Sequence, residues 1–340
     1  MTGTFLFCVR PVLAVLAPAL LGAGLAACGA KSEPPRWETV WSDDFDGDTL
    51  DRTKWRAEVS CWGGGNNERQ CYTDRPENIS VEGGVLKLRA RPEVYTGPLY
   101  PSHHKDARQG EATRAYTSGK IMTRGLASWR YGRFSARIKL PAGQGAWPAF
   151  WMMPADDFYG PWPLSGEIDI MEAVNLETPC AECVGGVERR SSGALHFGGL
   201  APENTYLHLK TDKTKVEGPA NEWHVFTLEW GEGVIQWFVD GKIFMRLKSD
   251  DWHTASLKAK GRPFAPFDQP FYLILNLAVG GNLPEKSNQG GFDDAAFPAE
   301  MLVDWVRVEQ CTDDIETGLA CLSKQEWSGE PQGPWEKDQL

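Results

Sequence analysis

Gly166-Glu167-Ile168-Asp169-Ile170-Met171-Glu172-Ala173 is the stretch that decides how the chain is read. Ile168, Ile170 and Met171 ask for a buried strand, and the three carboxylates between and beside them ask for the opposite. Side chains on a strand alternate between its faces. Glu167 and Asp169 therefore share one face, and Ile168 and Ile170 share the other. Glu172 lies five positions after Glu167, which puts it on the apolar face. One extra residue bulged at Ile170-Met171 returns it to the acidic face, and bulges of this kind recur beside active sites because they re-aim a side chain. The expected result is three carboxyl groups in a row on one surface.

Like charges a few ångströms apart cannot all ionise, so their pKa values are forced apart. One group stays an anion and another holds a proton near neutral pH. Retaining glycoside hydrolysis needs such a pair, a nucleophile and a general acid roughly 5–5.5 Å apart. Acid–apolar alternation alone leaves a calcium site or a solvated edge strand open. The bulge-requiring spacing and the aromatic and glycine-rich flanks favour the catalytic pair.

The 340 residues carry a formal net charge of -11, which argues against nucleic acid as a partner. Tryptophan is the compositional outlier, at 15 residues. Its flat apolar face and single N–H suit the C–H faces and polar edges of sugar rings, although filling a sandwich core uses the same residue. Arg10 precedes an alanine- and leucine-rich run, Pro11 to Leu25, too short for a comfortable membrane span. The run ends Leu25-Ala26-Ala27-Cys28-Gly29, which looks like a bacterial lipobox cleaved before Cys28 and lipidated on its thiol. An ordinary secretory signal is the alternative. Gly29 is not the aspartate that marks inner-membrane retention, so the expected location is the outer membrane or cell surface, or the periplasmic face, held by the lipid alone. The expected organisation is a signal peptide over 1–27, a lipidated tether over 28–36, one catalytic domain over 37–310 and a C-terminal tail over 311–340. Cys8 leaves with the signal, which leaves Cys61, Cys71, Cys180, Cys183, Cys311 and Cys321. An even number in an exported chain reads as disulfides. Proximity favours 61–71, 180–183 and 311–321 among fifteen possible pairings. Cys180-x-x-Cys183 also suits a redox pair or half a zinc site, but no second ligand pair stands at zinc spacing.

From Trp37 onward the pattern is short apolar runs separated by Gly, Pro, Asn and Asp. Phe134, Ala136, Ile138 and Leu140 alternate strictly with Arg133, Ser135, Arg137 and Lys139. Trp223 to Leu228, Ile235 to Val239 and Lys242 to Leu247 read as strands, the last two joined at Asp240-Gly241. Phe271 to Ala278 and Met301 to Glu309 follow. Many strands at short spacing with almost no helical period predict an all-β sandwich or barrel.

At these residues the chain resembles glycoside hydrolase family 16, and within it the bacterial laminarinases, which are endo-β-1,3-glucanases. The likeness covers roughly Trp41 to Glu309. It rests on Glu167-Ile-Asp-Ile-Met-Glu172 together with Gly145-Ala-Trp-Pro-Ala-Phe-Trp-Met-Met-Pro154, Ala194-Leu-His-Phe-Gly-Gly199 and Gly65-Asn-Asn-Glu68. Trp230 with Trp237-Phe-Val-Asp-Gly241, Asn276-Leu-Ala-Val-Gly-Gly-Asn282 and Val303-Asp-Trp-Val-Arg-Val308 complete it. The resemblance implies a concanavalin A-like β-jelly-roll sandwich with a substrate cleft on its concave sheet. It implies a polysaccharide substrate, β-1,3-glucan of the laminarin type, cut internally with retention. Mixed-linkage β-1,3-1,4-glucan, an algal galactan and glucan transglycosylation are the alternatives. A sulfated galactan would call for a basic cleft, and Arg124, Arg130 and Arg133 are too scattered in sequence to make one.

By position, Glu167 matches the family's nucleophile, Glu172 its acid/base and Asp169 the acid that steadies the nucleophile. Trp147 and Trp151, four apart on one face, match tryptophans that stack on sugars. Trp162, in a Pro-Trp-Pro loop, stands where another sugar would stack. His196 matches a cleft histidine. Asn66, Asn67, Glu68 and Asn282 match residues that line the cleft ends. No cofactor is implied for catalysis, and a monomer is expected. A structural calcium would take Asp44, the carbonyl of Gly84 and Asp304, with Asp44 standing where glutamate is usual. Leu283-Pro284-Glu285 replaces the common Trp-Pro-Gly, and a long loop from Cys180 to Arg190 is expected to close against the cleft.

Overall fold

Alternation of inward and outward residues generates nearly all the regular structure. The computed structural model describes residues 36–211 and 220–333. In chain order the strands begin with β1 Trp37–Asp43, β2 Arg56–Ala57, β3 Gln70–Tyr72, β4 Ile79–Val81, β5 Leu86–Pro98 and β6 Glu111–Ser118. They continue with β7 Lys120–Met122, β8 Gly132–Lys139, β9 Ala146–Pro154, β10 Glu167–Glu172, β11 Ser192–Gly198 and β12 Asn204–Lys210. The last are β13 Trp223–Gly231, β14 Val234–Val239, β15 Lys242–Lys248, β16 Phe271–Val279 and β17 Ala299–Cys311, with one short helix, α1, over Asn282–Lys286.

The strands form the two sheets of a jelly-roll sandwich. One runs β15-β14-β13-β8-β17-β5-β6-β3, with β1 added on β17 and β4 on β5. The other runs β12-β11-β10-β9-β16-β7-β2. On β8, Phe134, Ala136 and Ile138 are fully buried as the alternation requires, and the last predicted inward residue, Leu140, follows them into the core. Trp55, Trp230 and Trp237 are also fully buried, so part of the tryptophan excess fills the space between the sheets. At about 25 cal/mol per Å² of apolar surface removed from water, such side chains supply the main drive for the two sheets to close.

Central strand β16 is buried at every position. Its inward residues enter the core, while Tyr272 and Ile274 on the outward side pack with Met122, Trp151 and Met153 in a second, smaller apolar cluster. The described part of the C-terminal segment, residues 311–333, is tied to the sheets. Cys311 and Cys321 are bridged, the Ser323 amide donates to Glu229 at 2.6 Å, and the Trp327 indole donates to the Phe244 carbonyl at 2.8 Å. Gln332 then pairs with His208 on β12. The segment thus covers β15 and β12, the terminal strands on one side of each sheet, where unpaired backbone would otherwise be exposed. The expected signal peptide, Cys28 and all of the expected tether except Arg36 lie outside the described residues.

Candidate active site

Strand β10 carries the three acids, and its neighbours record the bulge. Against β9, Asp169 pairs with Trp151 and Met171 with Phe150, so Ile170 has no partner. Against β11, Asp169 pairs with Ala194 and Glu172 with Ser192, three residues spanning two. Ile168, Ile170 and Met171 are all buried in the core. The extra residue therefore turns both Ile170 and Met171 inward and leaves Glu172 on the outward side with Glu167. Beneath the bulge, Trp237 reaches across from the other sheet and its indole N–H donates to the Asp169 carbonyl at 2.8 Å. Gly193 on β11 makes room for that ring, since a Cβ there would sit 2.4 Å from Trp237 Cδ1. Just before Glu167, Gly166 has φ +83, and a Cβ would strike Phe267 at 2.7 Å. Glycine is needed there on both counts.

The acids are only partly accessible, with 16 % of the Glu167 side chain exposed and 4 % of Asp169. Burial, then the charge of Asp169, pushes the Glu172 carboxyl up to about 7. Burial, then the Glu167 charge, raises Asp169 to about 6. Burial also raises Glu167, but the positive His196 ring opposes it. His196 pairs with Glu167 across the β10–β11 ladder. Its Nε2 lies 3.3 Å from Asp169 Oδ2 and 3.7 Å from Glu167 Oε1. Burial alone would lower its pKa, yet the charges of Glu167 and Asp169 bring it to about 9, so at neutral pH it is an imidazolium. Each outer acid also has an indole donor. Trp162 Nε1 donates to Glu167 at 2.8 Å and Trp147 Nε1 to Glu172 at 3.0 Å. His196 and Trp162 favour the Glu167 anion against the effect of burial, while Glu172, at about 7, keeps a proton near neutrality.

The expected sugar-stacking rings surround these acids. Trp147 and Trp151 both face outward from β9, and Trp151 donates to Asn276 at 2.6 Å. Trp162 is 44 % exposed and lies over His196, centroids 6.0 Å apart. At the Glu172 end of the strands, the loop before β3 and the start of α1 are joined. The Asn282 amide donates to the Asn66 carbonyl at 2.7 Å, and Asn67 donates to the Asn282 side chain at 3.0 Å. Glu68 differs from the expectation. It is 8 % exposed, and its carboxylate accepts from Gln70 at 2.6 Å beneath the glycine turn. It braces the loop rather than lining the surface. Where Trp-Pro-Gly was the family expectation, Glu285 instead makes a two-pronged pair with Arg69 at 2.7 and 2.8 Å. Cys180 and Cys183 are bridged, and just before them Thr178 accepts from Asn288 at 3.3 Å.

Sequence reading missed several groups on this face. Asn276 holds Trp151, Lys120 lies over the Trp151 ring at 5.2 Å, and Tyr206 stacks on His196 with centroids 5.2 Å apart. All three are brought in by strand register. Asn276 opens one of the motifs quoted above, Lys120 and Tyr206 lie in none of them, and nothing in the local sequence of the three marked a place beside the acids.

The residues expected to hold calcium are each in contact with other groups. Asp304 accepts from Arg137 at 2.6 Å and Asp44 from Arg307 at 3.3 Å, and Gly84 closes the β4–β5 turn. Both pairs are partly exposed, and a hard dication would have to displace the guanidiniums from the carboxylates. Among the described residues, two other groups bring ligand atoms within 4.8 Å of one another: Glu167, Asp169 and His196, and Cys180, Cys183 and Glu188. The first is the acid cluster itself with His196, and in the second both sulfurs are bonded to each other. Cys61–Cys71 and Cys311–Cys321 complete the pairing that proximity favoured.

Comparison with known proteins places this geometry among relatives. The family model described as beta-porphyranase A-D, GH16 domain, matches residues 37–309. The chain is 39% identical over 277 residues to glucan endo-1,3-beta-glucosidase A1 of Niallia circulans, covering 79% of this chain but 37% of that protein. It is 39% identical over 303 residues to a beta-glucanase of Rhodothermus marinus, covering 87% of this chain and 93% of that one. Among solved structures, the laminarinase from Rhodothermus marinus superposes with a TM-score of 0.63 at 38% identity, over 82% of this chain and 99% of that one.

Proposed function

The chain belongs to glycoside hydrolase family 16, and from that premise we propose that it cuts β-1,3-glucan internally by a retaining double displacement, with Glu167 as nucleophile and Glu172 as acid/base. The observation that carries this reading is the bulge of β10, which aims both glutamates at the same outward surface. Glu172, protonated up to about pH 7, gives its proton to the glycosidic oxygen as the bond breaks. Glu167, whose anion His196 and Trp162 favour against burial, attacks the anomeric carbon and forms a glycosyl ester. Esterification removes the Glu167 charge, which eases ionisation of Glu172. Glu172 then takes a proton from water, and that water releases the sugar with its original anomeric configuration. Asp169 and His196 hold the nucleophile's charge and direction. Trp147, Trp151 and Trp162 offer ring faces to the sugars.

The test is a panel of laminarin, lichenan, agarose, κ-carrageenan and porphyran, with product sizes read by chromatography. The first anomer released is read by NMR. Porphyran belongs on it because the matching family model describes β-porphyranases, whereas the curated relatives are named glucanases. The expected result is a ladder of laminarin oligosaccharides that appear first as the β-anomer. Glu167→Gln is expected to abolish hydrolysis while retaining affinity for laminarin. Turnover by that variant, or a first-formed α-anomer, refutes the assignment.

A further inference from the structure

A cavity of about 230 Å³ opens at the β2 edge of the sheet that carries the acids, lined by Arg56, Glu58, His103, Met122 and Arg124 among others. There β2 pairs with β7, Arg56 opposite Met122. Met122 connects this cavity to the acids' surroundings, because it packs with Tyr272 and Ile274 in the outward cluster that Trp151 joins. From β10 to β2 the sheet order is β10-β9-β16-β7-β2, which at the usual spacing of strands is about 19 Å. A polysaccharide crossing the strands over Trp151 would reach the cavity a few sugars from the bond being cut. The far wall is the tip of the β5–β6 hairpin, and the tip is anchored. The Tyr100 ring stacks on His104 at 4.4 Å, and His104 lies against Trp62 at 5.5 Å.

The charge in this cavity is unlike that of the chain as a whole, whose net charge is -11. Glu58, the carboxylate of its lining, is taken by Lys120 at 2.9 Å and by the Ser60 hydroxyl at 2.7 Å. Arg124 has a ring contact with Tyr272 at 5.8 Å, and neither it nor Arg56 has a carboxylate partner among the described residues. Burial and then the Arg124 charge push His103 down to about 4, so near neutral pH it is an uncharged donor or acceptor in the same lining as the two arginines. A plain glucan would leave both guanidiniums unmatched. A planar, fixed fork of N–H donors fits a pair of anionic oxygens. Arg124, set apart from Arg130 and Arg133 in the fold, gains its companion from Arg56, far off in sequence.

We propose that this cavity is a distal subsite for an anionic substituent, a sulfate ester or a carboxylate, carried by the polysaccharide whose backbone is cut at Glu167 and Glu172. The proposal rests on the family reading for the course of the chain across the sheet, and its test is a binding measurement that does not depend on turnover.

The full chain carrying Glu167→Gln is titrated by affinity electrophoresis and calorimetry with laminarin, sulfated laminarin and carboxymethylated laminarin, which share one backbone. The anionic derivatives are expected to bind more tightly than laminarin, with a preference that weakens as salt rises. Arg56→Ala with Arg124→Ala is expected to lower affinity for the anionic chains by about tenfold or more relative to laminarin, as loss of charge-assisted hydrogen bonds implies. Arg56→Lys with Arg124→Lys is expected to keep part of the preference, which separates lost charge from lost fold. Tight binding of only the sulfated or only the carboxymethylated chain identifies the source of the anion. Equal binding of neutral and anionic chains, or a preference that survives the double alanine change, overturns the proposal. Failure of the unsubstituted protein to cut laminarin would instead count against the hydrolase reading, and the titration would still be decided by the arginines.

Discussion

Replacing Glu172 by glutamine should stabilise the protein at alkaline pH while it destroys catalysis. Burial and the neighbouring Asp169 charge raise Glu172 from the ordinary 4.5 to about 7. A carboxyl whose folded pKa lies above its unfolded one is paying, in free energy, for each proton it loses on the folded side. The penalty is absent below about pH 4.5, grows as pH climbs toward 7, and is complete above that. At about 1.4 kcal/mol per pKa unit, the full penalty is on the order of 3 kcal/mol. Glutamine keeps an oxygen that can accept from Trp147, so the hydrogen bond seen at 3.0 Å survives the change. The amide also removes a negative neighbour from Asp169, whose own pKa is raised to about 6. Glu172→Gln is therefore expected to melt about 5 °C or more above the parent at pH 8, by the usual slope of melting temperature on stability. At pH 4.5 the two should melt together. Differential scanning calorimetry across pH 4.5 to 8 reads this directly. A gain that is the same at both ends of the range, or no gain at pH 8, refutes the electrostatic account of the site.

Trp162→Phe removes the indole donor from Glu167, a bond that favours the anion. The acid limb of the kcat/KM profile should move to higher pH by up to about one unit, and an unmoved limb would assign Trp162 to sugar stacking alone. Gly193→Ala places a Cβ 2.4 Å from the fully buried Trp237, which should cost on the order of 1–3 kcal/mol as overpacking does. Melting temperature and kcat should fall together, because Trp237 holds the Asp169 carbonyl. Cys28→Ser, expressed in a bacterium that processes lipoproteins, should move the protein from the membrane fraction to the soluble exported fraction. Unchanged fractionation would remove the anchor from the account.

Local chemistry explains why the centre of the site was legible and its margins were not. The pattern 167–172 could be solved on paper because a strand has only two faces, and three acids with an offset of five cannot share one face without an extra residue. Phe134 to Leu140 was legible for the same reason. The positions of Asn276, Lys120 and Tyr206 depend instead on which strands lie side by side, and β9 with β16 or β11 with β12 is a long-range pairing that no local period encodes. Glu68 shows the opposite failure. In a Gly-Gly-Gly-Asn-Asn-Glu turn a carboxylate reads as exposed, yet the tight backbone folds over it and Gln70 satisfies it from below. The contacts of Asp44 with Arg307 and of Asp304 with Arg137 likewise come from strands meeting. Arg56 and Arg124 lie 68 residues apart in sequence, and only the β2–β7 pairing makes them neighbours. Where function depends on one strand's own alternation, the residues declare it. Where it depends on two strands meeting, the register has to be seen, and that is where the cavity beyond Met122 had been hidden.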